Sequence, residues 1–350
     1  MKRFIAIIIT VFFCALMFTL TSLALSTSAR SAILIDADSG TVLFDKNAHE
    51  RLPMASTTKI MTALVALENA DLDKEVSVSP NAVGVEGSSV CLKNGEVMTL
   101  EELLYAMLLE SANDAAAAIA IDIGSSIEGF AEMMNQKAQS LGLDDTSFEN
   151  PHGLDGENHY TTAHDLARIT AAALKNPDFA RIVSTYKYRI PMGDSYRYLL
   201  NHNKLLRQYE GAIGVKTGFT KKSGRCLVSA AEKDGLKLIA VTLSCPDDWH
   251  DHSAMLDFGF ENFERRKLAS DGEFEFELEC VGRKSGHVKV KSVGELSLLV
   301  NKGDANITQR VNLPRFVYAP KEAGEETGSI EFYLDGKEVG KVPLVISEVY

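Results

Sequence analysis

This chain of 350 residues is short of positive charge: 36 Lys and Arg stand against 48 Asp and Glu, a net of −12 with histidine neutral. Nucleic acid is a polyanion held through basic patches or arms. No basic arm occurs anywhere in the sequence, so nucleic acid is excluded as a partner. Cysteine is scarce too. The five, Cys14, Cys91, Cys226, Cys245 and Cys280, show neither C-x-x-C spacing nor the density of a disulfide framework, which leaves single buried thiols as the expectation. No third ligand follows His250-Asp251-His252 at a metal-binding spacing. These three read as surface residues at a helix start, and no metal site is expected from them. Internal repeats and low-complexity tracts are missing. What remains is a composition of 45% hydrophobic and 24% charged residues, ordinary for a folded globular protein. The length fits two domains, or one large domain with a small one.

The N-terminus is a targeting segment. Met1-Lys2-Arg3 is positive, and Phe4 to Ala29 carries no charge at all. Small residues at Thr27, Ser28 and Ala29 make cleavage after Ala29 the expectation. The apolar stretch is long for a signal peptide, so retention as a membrane anchor is the alternative. Both readings put the protein outside the cytoplasm, secreted or associated with the membrane through this segment.

Beyond residue 29 the pattern divides the chain. Ala32 to Asp36 and Val42 to Phe44 flank Ser39-Gly40 and predict a hairpin. A helix from about Ser56 to Glu68 is apolar on nearly every side and must therefore be buried. Further helices are expected over Glu101–Glu110, capped by Thr99, and over 114–123, 131–141 and 162–175. Strands are expected over 186–191, 212–218, 225–232 and 236–245, then a helix over 251–262. Strands on either side of an all-helical block argue an α/β domain, a mixed sheet with helices on its faces. After Arg265-Arg266-Lys267 short alternating runs punctuated by glycine predict a small all-β sandwich or barrel. The divisions are therefore 1–29, 30–265 and 266–350.

Three short motifs carry the chemistry. Ser56-Thr57-Thr58-Lys59, Ser111-Ala112-Asn113 and Lys216-Thr217-Gly218 follow one another in the order S-x-x-K, S-x-N, K-T-G. Each is weak alone: S-x-x-K recurs at Ser184–Lys187 and S-x-N at Ser79–Asn81. Order, spacing and context give them force. Ser56 and Lys59, three apart at a helix start, share one face. A serine hydroxyl needs a base, and lysine serves only when neutral, a state that burial and a second cation, Lys216, both favour. Ser111 is placed to relay a proton to a leaving amine, and Asn113 to hydrogen-bond substrate backbone. Lys216 and Thr217 suit a terminal carboxylate. Gly218 leaves room for substrate to pair along the strand. Backbone N–H groups of Ser56 and Phe219 would be the oxyanion donors. His152 and His159, in a polar loop, border the cleft without being read as catalytic bases.

With their flanks, Arg51–Lys59, Glu110–Ala116, Asn150–Asp155 and Gly214–Thr220, these motifs make residues 30–262 resemble the low-molecular-mass penicillin-binding proteins, the serine D-alanyl-D-alanine carboxypeptidases. The all-β region also looks like this family's second domain. The resemblance implies a β-lactamase/transpeptidase-like domain, an antiparallel sheet flanked by helices, plus a small β sandwich. It implies removal of terminal D-alanine from peptidoglycan stem peptides through a serine acyl-enzyme, without metal or cofactor, and with β-lactams as covalent inhibitors. Ser56 maps to the nucleophile and Lys59 to the base, while Ser111, Asn113 and Lys216 fill the other motif positions. Ala112 stands where many members have Gly. The amphipathic C-terminal anchor of many members is not seen. His202 sits where some carry an arginine near the carboxylate site, so carboxylate binding is expected to rest more on Lys216 and Thr217. A β-lactamase on the same fold stays open as an alternative, although no Glu-x-x-x-Asn element supplies a deacylation base. A non-catalytic wall-binding module stays open as well.

Overall fold

The computed structural model describes residues 25–282, 286–303 and 306–349. The apolar stretch from Phe4 to Ala24, Cys14 included, lies outside them, and so does the question of a retained anchor. Among the described residues no helix is long and apolar enough to cross a membrane.

The chain divides into two compact units, one running up to Ala231 and including Leu238–Phe258, the other comprising Glu232–Lys237 with the residues from Gly259 onward. In the first unit β1 (Ser31–Asp36) and β2 (Val42–Lys46) form the expected hairpin. A short 3-10 turn, Ala55–Thr58, leads into α1 (Lys59–Asn69). Every residue of α1 from Lys59 to Ala66 is buried, as its all-round apolarity requires. Strands β3 (Glu75–Ser77) and β4 (Val97–Thr99) then pair as a small ribbon. Helix α2 (Leu100–Leu109) starts on a capping box in which Thr99 and Glu102 bond each other's backbone. Next come α3 (Asn113–Gly124), α4 (Ile127–Ser140), α5 (Ala163–Leu174) and α6 (Pro177–Ser184). Helix α6 was not expected. Asn176 caps it, accepting from the N–H groups of Asp178 and Phe179, and Pro177 opens it rather than ending its predecessor.

A second hairpin, β5 (Lys187–Met192) and β6 (Ser195–Leu200), and the short α7 (Leu205–Gln208) lead to β7 (Ala212–Thr220), β8 (Gly224–Lys233) and β9 (Leu236–Leu243), then α8 (Asp248–Asn262). The main sheet has the order β2-β1-β9-β8-β7, which leaves β7 at one edge. Its β1–β2, β1–β9 and β7–β8 pairs are antiparallel. The expectation of a mixed sheet fails because the helical block carries the chain from β2 to the far edge, and the last three strands return by tight turns. Helix α8 begins three residues before the expected start, and this turns His252 inward. His252 is fully buried between the hydroxyls of Ser229 and Thr242 instead of lying on the surface, and Asp251 is buried too. Only His250 of that trio is exposed. Burial holds the His252 imidazole neutral, down to about 3.

The second unit contains β10 (Phe263–Ala269), β11 (Glu275–Val281), β12 (His287–Ser292), β13 (Leu296–Asn301), β14 (Ile307–Asn312), β15 (Phe316–Tyr318), β16 (Glu326–Leu334) and β17 (Lys337–Val349). Six of these form a sheet in the order β14-β16-β17-β12-β11-β15, and β10 pairs with β13 as a separate ribbon. Ala269 and Leu296 of that ribbon pack against the sheet's Val288, Val290, Ile330, Phe332 and Leu344, which gives the unit a core of its own. Cys226, Cys245 and Cys280 are buried thiols as expected, whereas Cys91 is exposed.

The separate core generates a test. Ile330→Ala, at a fully buried position, should destabilise the β unit by roughly 2–5 kcal/mol and leave acylation of Ser56 by penicillin unchanged. Differential scanning calorimetry alongside penicillin labelling checks both halves; loss of labelling at a temperature where the first unit stays folded would contradict the separation.

Candidate active site

Ser56 sits at the second residue of the 3-10 turn, and its placement begins with the residue before it. Ala55 holds a left-handed backbone, φ 48°, which costs a non-glycine residue roughly 1–2 kcal/mol. Its neighbours hold it there. The Thr57 and Thr58 hydroxyls donate to the carbonyls of Met54 (2.6 Å) and Ala55 (2.8 Å). His159 Nδ1 accepts the Glu149 N–H, so its proton resides on Nε2, which donates to the Thr58 hydroxyl at 2.8 Å. Burial keeps this imidazole neutral, with its pKa at about 4. Gly153, at φ 90°, lets the loop press so close that a Cβ there would lie 2.0 Å from the Ala55 carbonyl oxygen. On the other side Gly218 packs against the turn, and a Cβ there would stand 3.0 Å from the Ser56 nitrogen.

Lys59 opens α1 and is fully buried. Its Nζ lies 3.0 Å from Ser56 Oγ and 2.6 Å from Asn113 Oδ1, and it also donates to the His152 carbonyl. The last two partners are acceptors only. A neutral amine has two N–H groups and one lone pair, so with the N–H groups committed to Asn113 and His152, the lone pair faces the serine hydroxyl. Burial drives the Lys59 pKa well below its usual value, and the charge of Lys216 lowers it further.

Lys216 enters on β7 and is also buried, with Nζ 3.0 Å from Ser111 Oγ and 2.9 Å from the Thr217 carbonyl. Desolvation pulls its pKa down to about 7. Ser111, at φ 61°, occupies the turn between α2 and α3. Asp114, in the first turn of α3, ties down the loop between β3 and β4: its carboxylate accepts from the Ser89 hydroxyl and the Val90 and Leu92 N–H groups. Asn113 is anchored in the protein: its amide nitrogen donates to the Glu86 carbonyl and its oxygen holds Lys59. The amide has a second N–H beyond these two bonds. Two hydrogen-bonded groups, Lys59 with Ser56 and Asn113 and Lys216 with Ser111, are thus coupled through the charges of the two lysines.

Above the cluster lies a cleft of about 330 Å³ lined by Ser56, Ser111, Thr217, Gly218, Phe219 and a rim of His202, Arg225, Asp248 and Trp249. The rim was only partly anticipated. His202 is there, 3.2 Å from Glu110. Arg225 was missed. It lies directly across the ladder from Phe219, with its guanidinium 2.7 Å from Asp248. A single arginine in a β-strand carries no motif, so nothing in the sequence marked it. His159, read as a residue bordering the cleft, instead supports the turn that carries Ser56. None of the described cysteines lines the cleft, and burial pushes Cys226 up to about 11, leaving it protonated.

The model of the D-alanyl-D-alanine carboxypeptidases matches residues 19–247. The chain belongs to that family. It is accordingly a serine peptidase of the penicillin-binding, cell-wall class. The model of the C-terminal domain of penicillin-binding protein 5 matches residues 263–349. Among curated relatives, D-alanyl-D-alanine carboxypeptidase DacF of Bacillus subtilis is 35% identical over 335 residues, 93% of this chain and 86% of the relative. DacC of Escherichia coli is 32% identical over 342 residues, 92% and 84% of the two chains. A crystal structure of penicillin-binding protein 5 from Haemophilus influenzae superposes with a TM-score of 0.72 at 28% identity, covering 92% of this chain and 97% of its own.

Two tests follow from the cluster. Lys59 must be neutral to accept a proton, so acylation should rise with pH along an acid limb set well below the usual lysine value of 10.5. In Lys216→Gln one cation is gone and Lys59 holds its proton more tightly, so that limb should move to higher pH. Stopped-flow penicillin acylation across the pH range measures this, and a limb that stays in place would refute the coupling. Gly153→Ala forces the Ala55 carbonyl aside and should slow acylation by about 100-fold or more with the far-UV circular dichroism unchanged; near-normal acylation would show that the turn tolerates displacement.

Proposed function

We propose that the protein removes the terminal D-alanine from peptidoglycan stem pentapeptides, with Ser56 as nucleophile. The observation that carries this reading is a buried, neutral-leaning Lys59 amine in hydrogen-bond contact with the Ser56 hydroxyl. The substrate's C-terminal strand would lie along the edge of β7, its terminal carboxylate toward the Thr217 hydroxyl, Lys216 and the Arg225 guanidinium. Ser56 Oγ attacks the carbonyl carbon of the scissile bond while Lys59 takes its proton. The oxyanion is held by the N–H groups of Ser56 and Phe219. As the C–N bond breaks, the leaving amine collects a proton relayed through Ser111, which Lys216 contacts at 3.0 Å. Water then attacks the ester, giving its proton to the same lysine system and returning Ser56. Asn113 acts in this scheme by orienting Lys59.

A β-lactam offers the same carbonyl, but its ring-opened leaving group stays tethered and blocks the water. Acyl-enzymes should therefore persist. Export fits this activity, since the polymer lies outside the cytoplasm, and we assign it to the segment 1–29. Processing after Ala29 would discard both Ser28, whose N–H and hydroxyl lie 2.7 Å from Asp251 Oδ2, and Ala29, which is buried. These contacts favour cleavage upstream of Ser28.

Incubation with a fluorescent penicillin should label the protein on a peptide containing Ser56, and a diacylated peptide ending in D-Ala-D-Ala should lose one D-alanine. Ser56→Ala should abolish labelling and lower peptide turnover by at least about 10⁴-fold. Rapid penicillin turnover without peptide hydrolysis would identify a β-lactamase instead; neither activity, with binding to the wall retained, would identify a non-catalytic module.

A further inference from the structure

The β5–β6 hairpin presents two unlike faces. Cross-strand partners share a face. Tyr188 and Leu199 face inward with Ile190 and Arg197. Tyr188 stacks on Tyr105 of α2 with ring centroids 3.6 Å apart, and Arg197 is paired with Glu96 at 3.0 Å. The opposite face carries Lys187, Arg189 and Pro191 across from Leu200, Tyr198 and Tyr196, all six exposed. Tyr198 is 74% exposed, which is far from ordinary for a ring of that size. Arg189 lies over the Tyr196 ring at 4.9 Å, and the Tyr196 and Tyr198 rings are 6.2 Å apart. Scattered apolar residues on a surface need no explanation, but two tyrosines and a leucine in one row, backed by cations, do.

Charge and position say what suits this face. The whole chain carries −12, yet neither Lys187 nor Arg189 has an acidic partner among the described residues. An anionic polymer is thus attracted here while much of the remaining surface repels it. The row is also continuous with the active site: Leu200 donates its N–H to Glu110, the residue before Ser111, and His202, two residues on, lines the cleft. Six residues of extended strand run about 20 Å from that rim, far more than the terminal dipeptide needs. Tyrosine rings cover the C–H faces of sugars and offer hydroxyls to their polar edges, and the cations suit carboxylates.

We propose that this outward face docks the glycan polymer that bears the stem peptides and their carboxylates, and so delivers a peptide end to the cleft. The inference rests on the carboxypeptidase reading, and its test separates the two. The combined variant Arg189→Ala, Tyr196→Ala, Tyr198→Ala is compared with the parent on a soluble diacylated D-Ala-D-Ala peptide and on purified insoluble peptidoglycan. The soluble peptide should be turned over within about twofold of the parent, as for surface changes away from the site. Turnover of the polymer should fall about tenfold with two rings and a cation removed. In a Ser56→Ala background, co-sedimentation with peptidoglycan should be lost with the same triple change and weakened by Lys187→Gln with Arg189→Gln alone. Equal turnover of the polymer by variant and parent would overturn the proposal. So would an equal loss on both substrates, or sedimentation that depends on anionic phospholipid vesicles and not on peptidoglycan. A parent protein that releases no D-alanine from either substrate would overturn the carboxypeptidase reading instead, and co-sedimentation would still decide the docking.

Discussion

The site depends on keeping two amines out of water beside each other. An isolated buried ammonium is expensive, and a second one nearby raises the expense, so the protein lowers it by shedding charge. Lys59 is the one pushed toward losing its proton, by burial first and by the charge of Lys216 second, and its acceptors tolerate the loss. Asn113 Oδ1 and the His152 carbonyl accept in either protonation state, so only the third position changes direction, from amine donating to serine to serine donating to amine. Proton transfer from Ser56 to Lys59 would therefore need no rearrangement of heavy atoms, the kind of preorganisation on which the proposed base role rests. Lys216 is held differently, by one hydroxyl and one carbonyl, and keeps a donor for an arriving anion.

That arrangement is only as good as the backbone that presents Ser56. The left-handed Ala55 turns the chain so that the serine leaves the core while Lys59, three residues later, stays inside it. Such strain persists only where the surroundings over-determine it. Here they do so from three directions: the Thr57 and Thr58 hydroxyls from within the turn, His159 and Gly153 from the loop, and Gly218 from β7. The neutral state of His159 matters for the same reason, since its single donated hydrogen bond to Thr58 relies on Nδ1 remaining free to accept the Glu149 N–H.

How far the sequence revealed this depended on distance along the chain. The three motifs were readable because the residues within each lie two or three positions apart, and the all-round apolar pattern of α1 announced a buried helix next to Ser56. Arg225 and the supporting role of His159 were not readable, because each depends on a neighbour placed by the tertiary fold: Asp248 lies 23 residues from Arg225, and Thr58 lies 101 from His159. Local ambiguity explains other misses. Asn176-Pro177 reads equally as the end of one helix and the start of another, and the structure uses it as the second. His252 depended on where α8 begins, since a shift of under one turn exchanges surface for core. In β6 both faces carry large side chains, Tyr196 and Tyr198 outside and Arg197 and Leu199 inside, so the alternation that marks a half-buried strand is blurred.

The edge position of β7 ties these points together. An unpaired strand edge is normally a liability that proteins cover, twist or charge. Here the edge lies beside the 3-10 turn and borders the cleft. Gly218 permits the turn to approach and Lys216 passes beneath it, while Thr217 stays accessible. A substrate that pairs with this edge would complete the sheet, and only a strand of the right polarity would bring its penultimate carbonyl over Ser56 and its carboxylate toward Thr217. The same edge would thus supply affinity and direction together. A chain end, which has a carboxylate to place, would be preferred over the interior of a peptide, which does not. Selectivity for a terminus then follows from the geometry of one strand, and the pocket itself can remain shallow.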